Sequence, residues 1–250
     1  MHEATARIQQ QSRSHFWVGL AVDDVEVAEA QRLRHRVFAE EMGARLPTAH
    51  LGLDIDNFDA YCDHLIVRDR DNGEVVGTYR ILSPSQARKA GGYYSEQEFD
   101  LTRFHHLRPR MAELGRSCVH PDYRSGAVIA LLWSGLADYM TRYGHDHIIG
   151  CASIPMADGG YVAAKVYETL IEKYLSPIEW RVNPRNRLPL ESLSTSVDAL
   201  LPSLIKGYVR LGAWVCGEPS WDPDFNTADL LMMLPMERLN TAYARRLLPG

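Results

Sequence analysis

Seven side chains able to bind or move charge stand at short, regular spacings in this sequence: Arg34, Asp54, Asp56, Asp59, Arg80, Glu113 and Arg116. They fall into Arg-x-x-x-Phe (34–38), Asp-x-Asp-x-x-Asp (54–59), Gly-x-x-Arg (77–80) and Glu-x-x-Arg (113–116). A carboxylate such as Glu113 can take a proton from a reacting group. The three aspartates make an acidic loop suited to a cationic ammonium, and Arg34 or Arg80 could clamp a carboxylate through two parallel N–H donors. Each has a plain alternative. Glu113 pairs with Arg80 or Arg116 and only stiffens the fold, the loop is solvated, and the arginines sit in structural ion pairs.

The stretch 113–154 must hold the centre of any such site. A short apolar strand at 117–119 leads into a turn marked by Pro121 and Asp122, then a basic and small run, Arg124, Ser125, Gly126 and Ala127. Val128, Ile129, Leu132, Trp133, Leu136, Tyr139, Met140 and Tyr143 follow at three- and four-residue steps, the period of one buried helix face. Gly144 supplies the stop, and 147–154 resumes as a buried strand. A small-residue turn entering a helix presents unpaired N–H groups and the positive end of the helix dipole, a natural cradle for phosphate. An ordinary strand-to-helix turn is the bland alternative.

Bulk properties narrow the class. At 250 residues, with 46% hydrophobic and 24% charged content, the chain can bury a full core. A net charge of -5 without basic runs argues against a nucleic-acid partner. Cys62, Cys118, Cys151 and Cys216 are scattered with no CxxC, as reduced thiols of a cytoplasmic protein would be. No apolar run approaches the ~18 residues of a spanning helix, so any contact with the inner membrane would be peripheral. The polar start, 1–14, reads as a disordered leader without a secretory signal.

Elsewhere, 16–22 reads as a strand and 25–38 as a helix capped by Asp23 or Asp24 and ending near Gly43. Residues 45–58 are a long loop, and 63–68 with 74–82 form a hairpin about Asp71-Asn72-Gly73. The span 83–110 is irregular, with a short helix around 99–104. Helices follow at 158–174 and 200–211, strands at 179–182, 213–216 and 229–234, and a final amphipathic helix at 236–248. This interleaving predicts an α/β fold, one mixed central sheet flanked by helices, in a single domain over 15–250.

The order Val-x-Pro-x-Tyr-Arg-small-small at 119–126 resembles the acyl-donor motif of the GCN5-related N-acyltransferases (GNAT), which holds the pyrophosphate of acetyl-CoA. Counted from Arg124, that motif's glycine positions are Ala127 and Ile129. The bulky Ile129 favours a donor carrying only a phosphopantetheine arm, such as acyl carrier protein. The four charged clusters are similar to those of the acyl-homoserine-lactone synthases. Asp54 replaces their Glu, and no Trp follows Phe38, which argues against S-adenosylmethionine. GRSCVHPDYRSGAVIALLW, GCASIPMADGG and LPSLIKGYVRLGAWVCGEPSWDPDFNTADLLMMLPM look like the bacterial L-ornithine Nα-acyltransferases.

That resemblance implies amide formation from a 3-hydroxyacyl carrier protein and L-ornithine, with no cofactor beyond the donor's 4'-phosphopantetheine. Glu113 and Arg116 are then the catalytic candidates, with Glu113 assisting deprotonation. Arg34, Phe38, Asp54, Asp56, Asp59 and Arg80 would bind the amino acid. Ser117, Cys118 and Val119 would bind the donor through strand N–H groups, and Arg124, Ser125, Gly126 and Ala127 would hold its phosphate. An N-acyl amino acid synthase of other specificity, an autoinducer synthase and a non-catalytic carrier-binding module remain alternatives.

No metal is expected. The acidic loop lacks the oxygen density and glycine of a calcium loop, and His105, His106, His145 and His147 lack ordered partners. Ser117-Cys118 is no nucleophile elbow, so direct attack without an acyl-enzyme is expected. Arg181, Arg185, Arg187 and Lys206 could form a basic landing patch for an acidic carrier or be scattered surface charge. The helix at 236–248, with Arg238, Arg245 and Arg246 opposite Leu239, Ala242, Tyr243 and Leu247, could rest on a membrane or pack into the core.

Overall fold

The computed structural model describes residues 15–193 and 196–240. The elements run β1 (Phe16–Leu20), α1 (Asp24–His35), β2 (Asp63–Asp69), β3 (Val75–Leu82), α2 (Pro84–Ala90), β4 (Phe99–Asp100), β5 (Met111–Val119) and α3 (Ala127–Tyr143). Then come β6 (His147–Pro155), α4 (Tyr161–Tyr174), β7 (Asn183–Pro184), α5 (Ser203–Leu211), β8 (Trp214–Val215), β9 (Ser220–Asp222) and β10 (Thr227–Pro235). The main sheet is ordered β1-β2-β3-β5-β6-β10-β8, with β9 on β10. All its pairs are antiparallel except β5–β6. This is the predicted mixed sheet flanked by helices.

Strand alternation sends each side chain to one of two covered faces. On the back, Leu65, Val67, Leu114, Leu132 and Leu136 form one cluster, and Ala152, Ile154, Val166, Ile205, Leu230 and Met232 another, beneath α3, α4 and α5. On the front, Ala30 and Leu33 of α1 and Val37 just beyond it meet Ile66 and Cys118, while Phe99, Leu101 and Phe104 meet Ile149, Leu231 and Met233. Every residue of β3 and β10 is buried, which fits strands covered on both faces.

Asp23 caps α1 by accepting from the Glu26 N–H, as its residue type invites. The helix widens into a π-type turn over Arg36–Glu41 and stops at Gly43, φ 77°. The structure corrects three assignments. α2 occupies part of the span read as irregular, started by Pro84 at its first turn and ended by Gly91, φ 88°; its sequence, PSQARKA, has almost no apolar period to betray it. The helix expected at 99–104 is the two-residue strand β4 and a 3₁₀ turn at Thr102–Phe104. The strand expected at 179–182 is a 3₁₀ turn, Ile178–Trp180, whose tryptophan ring packs on Trp214 and His147 instead of pairing its backbone.

Beyond β10 the described chain makes only a 3₁₀ turn, Met236–Arg238, so most of the expected terminal helix, like the leader at 1–14, lies outside the described residues. Among the described residues, no helix is long and apolar enough to cross a membrane.

Candidate active site

The strands β5 and β6 run parallel and meet only at Met111↔His147, Ala112↔Ile148 and Glu113↔Ile149. Past that point β5 stays with β3 as far as Val119↔Gly77, and β6 stays with β10 as far as Pro155↔Thr227. The two strands therefore splay and open a slot in the middle of the sheet. Gly150 sits at its apex, where a side-chain carbon would run into the Leu114 carbonyl oxygen. A polar cavity reaches the slot from the front, with Phe38, Arg80, Glu113, Arg116, Asp222 and Asp229 among its walls. An apolar one reaches it from the back, between Trp133, Leu136, Ile148, Leu211, Met232 and Leu234. Leu114, Cys151 and Tyr208 line both.

Beside the slot β5 carries a bulge. Between Thr78 and Arg80 the partner strand advances from Cys118 to Gly115, so one residue of the Arg116–Ser117 pair stands outside the ladder. Arg116 takes the left-handed conformation, φ 51°, which costs a non-glycine residue about 1–2 kcal/mol. Its side chain explains the choice. Nε donates to Asp54 and Nη2 to Asp56, each at 3.1 Å, and the guanidinium lies 5.1 Å from the Tyr94 ring centre and 4.7 Å from that of Phe225. Behind the bulge the Tyr79 and Tyr208 hydroxyls hydrogen-bond each other.

The acidic loop folds inward onto arginines. Arg34, 0% exposed, donates from Nε to Asp54 at 2.8 Å, from Nη1 and Nη2 to the two Asp59 oxygens at 2.9 Å each, and to the Asp54 carbonyl at 2.5 Å. Arg80 donates to Asp56 at 2.6 Å and Asp59 at 3.1 Å. Three aspartates thus face three arginines, Arg34, Arg80 and Arg116. Burial alone would push the Asp59 carboxyl up, but the Arg34 hydrogen bonds and the charges of Arg34 and Arg80 outweigh it and hold it well below the usual carboxylate range. Asp54 and Asp59 are 2% and 8% exposed, so these aspartates have no free charge to offer an ammonium. The two-handed clamp anticipated at Arg34 is spent on Asp54 and Asp59. Arg80 and Arg116 keep an edge on the polar cavity.

Glu113 enters that cavity from the paired end of β5, without an ion-pair partner among the described residues. Its Oε1 accepts from the Ser95 N–H at 2.7 Å and from the Ser95 hydroxyl, and its Oε2 from the Tyr94 N–H at 2.6 Å. A carboxylate has about four acceptor sites, so one stays open on Oε2. Burial pushes its pKa up against those hydrogen bonds. A buried carboxylate that is more basic than usual suits proton acceptance.

At the other end of the slot, Gly126, φ 103°, begins α3 with no side-chain cap, leaving its first N–H groups bare. Arg124, Ser125, Gly126 and Ala127 are all exposed there. Arg124 is turned aside onto Glu41, through Nη1 at 2.6 Å and Nη2 at 2.7 Å. Val119, Cys118 and Ser117 lead from this turn into the polar cavity, with Phe38, packed on Phe225, across from them. Of the residues of the basic patch, Arg187 pairs with Glu191 and Glu218, while Arg181 and Arg185 bond the Ser176 and Glu96 carbonyls and, like Lys206, keep their charge.

A splayed parallel pair beside a bulged strand, with a helix N-terminus at the wide end, frames the site. An acetyltransferase (GNAT) domain family matches residues 33–134. The L-ornithine N(alpha)-acyltransferase of Brucella abortus is 38% identical over 245 residues, covering 90% of this chain and 86% of that protein. That of Rhodobacter capsulatus is 37% identical and covers 91% and 93%. The chain belongs to this family. It is an N-acyltransferase. Its fold is shared by FeeM, an N-acyl amino acid synthase from uncultured soil microbes (TM-score 0.57, 13% identity, 91% and 95% covered), and by TofI in a ternary complex with an inhibitor and MTA (TM-score 0.54, 16% identity, 94% and 100% covered).

One feature of this family member was invisible along the sequence. Register places Cys151 and Ser153 of β6, Thr227 and Asp229 of β10, and Asp222 of β9 on the front face with Glu113. Glu98 is added from the loop before β4. One ligand atom each from Glu98, Cys151 and Asp229 lies within 4.8 Å of the others. Burial pushes the Cys151 thiol well above its ordinary range, so it is a neutral thiol and a poor metal ligand. These residues lie far apart in the chain, with no motif to link them.

Proposed function

We propose that this enzyme transfers a 3-hydroxyacyl group from acyl carrier protein to the α-amine of L-ornithine, giving lyso-ornithine lipid, the first step of ornithine lipid formation. The observation that carries the reading is the meeting of a polar and an apolar cavity at one slot, with Glu113 at its closed end. An amino acid belongs in the first and an acyl chain in the second. The relatives are named for acyl transfer to the ornithine α-nitrogen.

The amine nitrogen attacks the thioester carbonyl carbon from the front. A C–N bond forms, the C–S bond breaks, and the proton lost from nitrogen goes to Glu113. The bulge at Arg116–Ser117 would supply a backbone N–H to the developing oxyanion. Tyr208, which reaches both cavities, is placed to donate a hydrogen bond to the departing thiolate, and the proton taken up by Glu113 passes to that sulfur as the thiol leaves. The bare N-terminus of α3 would take the single phosphate of the pantetheine arm. Arg116 and Arg80, already tied to aspartates, still present a guanidinium edge to the cavity where the amino-acid carboxylate would sit.

The test is thioester consumption by purified protein with 3-hydroxyacyl carrier protein, offering ornithine, lysine, glycine, tyrosine and S-adenosylmethionine in parallel. Turnover with ornithine, giving an N-acyl product by mass, is expected. Turnover only with another amine would move the substrate, and silence with all five would point to a carrier-binding module.

A further inference from the structure

We propose that Glu98 and Asp229, with Asp222 at the rim, form the subsite for the cationic side chain of the acceptor amino acid. The inference rests on the reading of the acceptor as a diamino acid, and it replaces the loop at 54–59 as the source of that recognition. Asp229 is 4% exposed and Glu98 9% exposed. Both Glu98 oxygens and one Asp229 oxygen lack any hydrogen-bond partner, and the neighbouring Thr227 hydroxyl is also unsatisfied. Among the described residues no arginine or lysine pairs with either. Two carboxylates closed off from water and facing each other hold poorly unless a cation arrives. Burial, with the charges of Asp229 and Asp222 beside it, pushes the Glu98 carboxyl up to about 10; burial and the Asp222 charge push Asp229 up to about 6, against the polar groups of Ser153, Thr227 and Glu98.

The placement fits the chemistry. Asp222, Thr227 and Asp229 line the same polar cavity as Glu113. The Ser95 hydroxyl that bonds Glu113 lies 3.4 Å from Cys151 Sγ, the atom clustered with Glu98 and Asp229. The acid pair is thus two small side chains from the proton acceptor, a span that a three-methylene side chain covers. A terminal ammonium would give its protons to Glu98, Asp229 and Thr227 while the α-amine stays at Glu113.

The experiment compares ornithine with norvaline, the same skeleton without the terminal amine, as acceptors for wild type, Asp229→Asn and Glu98→Gln. Wild type should favour ornithine in kcat/KM, and either neutral variant should lower that preference about 30-fold or more, the usual cost of unpairing a buried charge contact. In thermal melts ornithine should stabilise wild type and not Asp229→Asn; a variant that fails to fold is replaced by the rim substitution Asp222→Asn, read by the same ratio. An unchanged ornithine preference in folded variants overturns the subsite while leaving the acyltransfer reading intact. Wild type that acylates another amine and ignores ornithine overturns the reading instead. A stoichiometric divalent metal, removed by chelator together with the ornithine preference, would overturn the ammonium assignment in favour of a metal site.

Discussion

Replacing Arg34 with methionine separates structural from substrate-binding arginines in this fold. The change removes four hydrogen bonds from a cation with 0% exposure and leaves Arg116 as the one arginine on Asp54 and Arg80 as the one arginine on Asp59, which keeps its bonds from Gln31 and the Asp56 N–H. Breaking a buried pair costs about 3–5 kcal/mol, and the two remaining arginines place the expectation near the lower end, about 3 kcal/mol. Against a total stability of about 5–15 kcal/mol this is severe but survivable, and it corresponds to about 6–12 °C in Tm. The Asp59 carboxyl, held low in the folded protein, contributes stability above the ordinary aspartate value near ~3.9 and loses it as pH falls through the folded value. The gap between wild type and Arg34→Met should therefore narrow on acidification below about pH 4. Urea unfolding at several pH values, with acceptor KM measured well below Tm, reads both effects. A tenfold rise in ornithine KM with an unchanged Tm would refute the argument and return Arg34 to the substrate carboxylate.

Glu113→Gln keeps the shape of the carboxylate and removes its basicity; kcat should fall about 10²–10⁴-fold, and in wild type the acid limb of the rate profile should lie above the ordinary carboxylate range. A profile set at the usual glutamate value would remove Glu113 from that role. Glu98→Gln should gain stability over wild type as pH rises from about 5 to 8, because a carboxyl with a raised folded pKa destabilises the fold once its unfolded counterpart ionises. Parallel pH–stability curves would count against the buried acid pair. Gly150→Ala forces a methyl group toward the Leu114 carbonyl at the slot's apex, so activity should fall at least about tenfold, as misplaced reacting groups do; twofold or less would show that the apex yields freely.

Much of the fold was legible because its signals are local. Asp23, Gly144 and Gly212 punctuate helices as capping rules require, and the apolar period of 127–143 names its buried face. α2 escaped because its signal is a proline and a glycine at its ends rather than a period within. The site residues divide on the same ground. Motif spacing assembled Arg34, Asp54, Asp56, Asp59, Arg80 and Arg116, which do meet, yet it could not say that their charges cancel. Whether an aspartate is free or taken is decided by which arginine lies across from it, a tertiary fact. Glu98, Asp222 and Asp229 come together only through the register of β6, β9 and β10 and the loop before β4, so no single stretch of sequence announces them.

The slot between β5 and β6 makes the sheet a partition with a notch, closed at Gly150 and open toward Val119 and Pro155. In the proposed reaction, head and tail of the product would stand on opposite sides of that partition, joined through the notch like a bead on a thread. Such a molecule cannot leave by stepping sideways into solvent from either cavity. It would have to slide out lengthwise through the open end, the route proposed for the donor arm. The departing thiol blocks that exit, so it must go first, and accumulated product should compete with the incoming acyl donor. Product inhibition competitive against the carrier thioester is the kinetic mark of that geometry, and inhibition competitive against the amino acid alone would mean the notch does not hold.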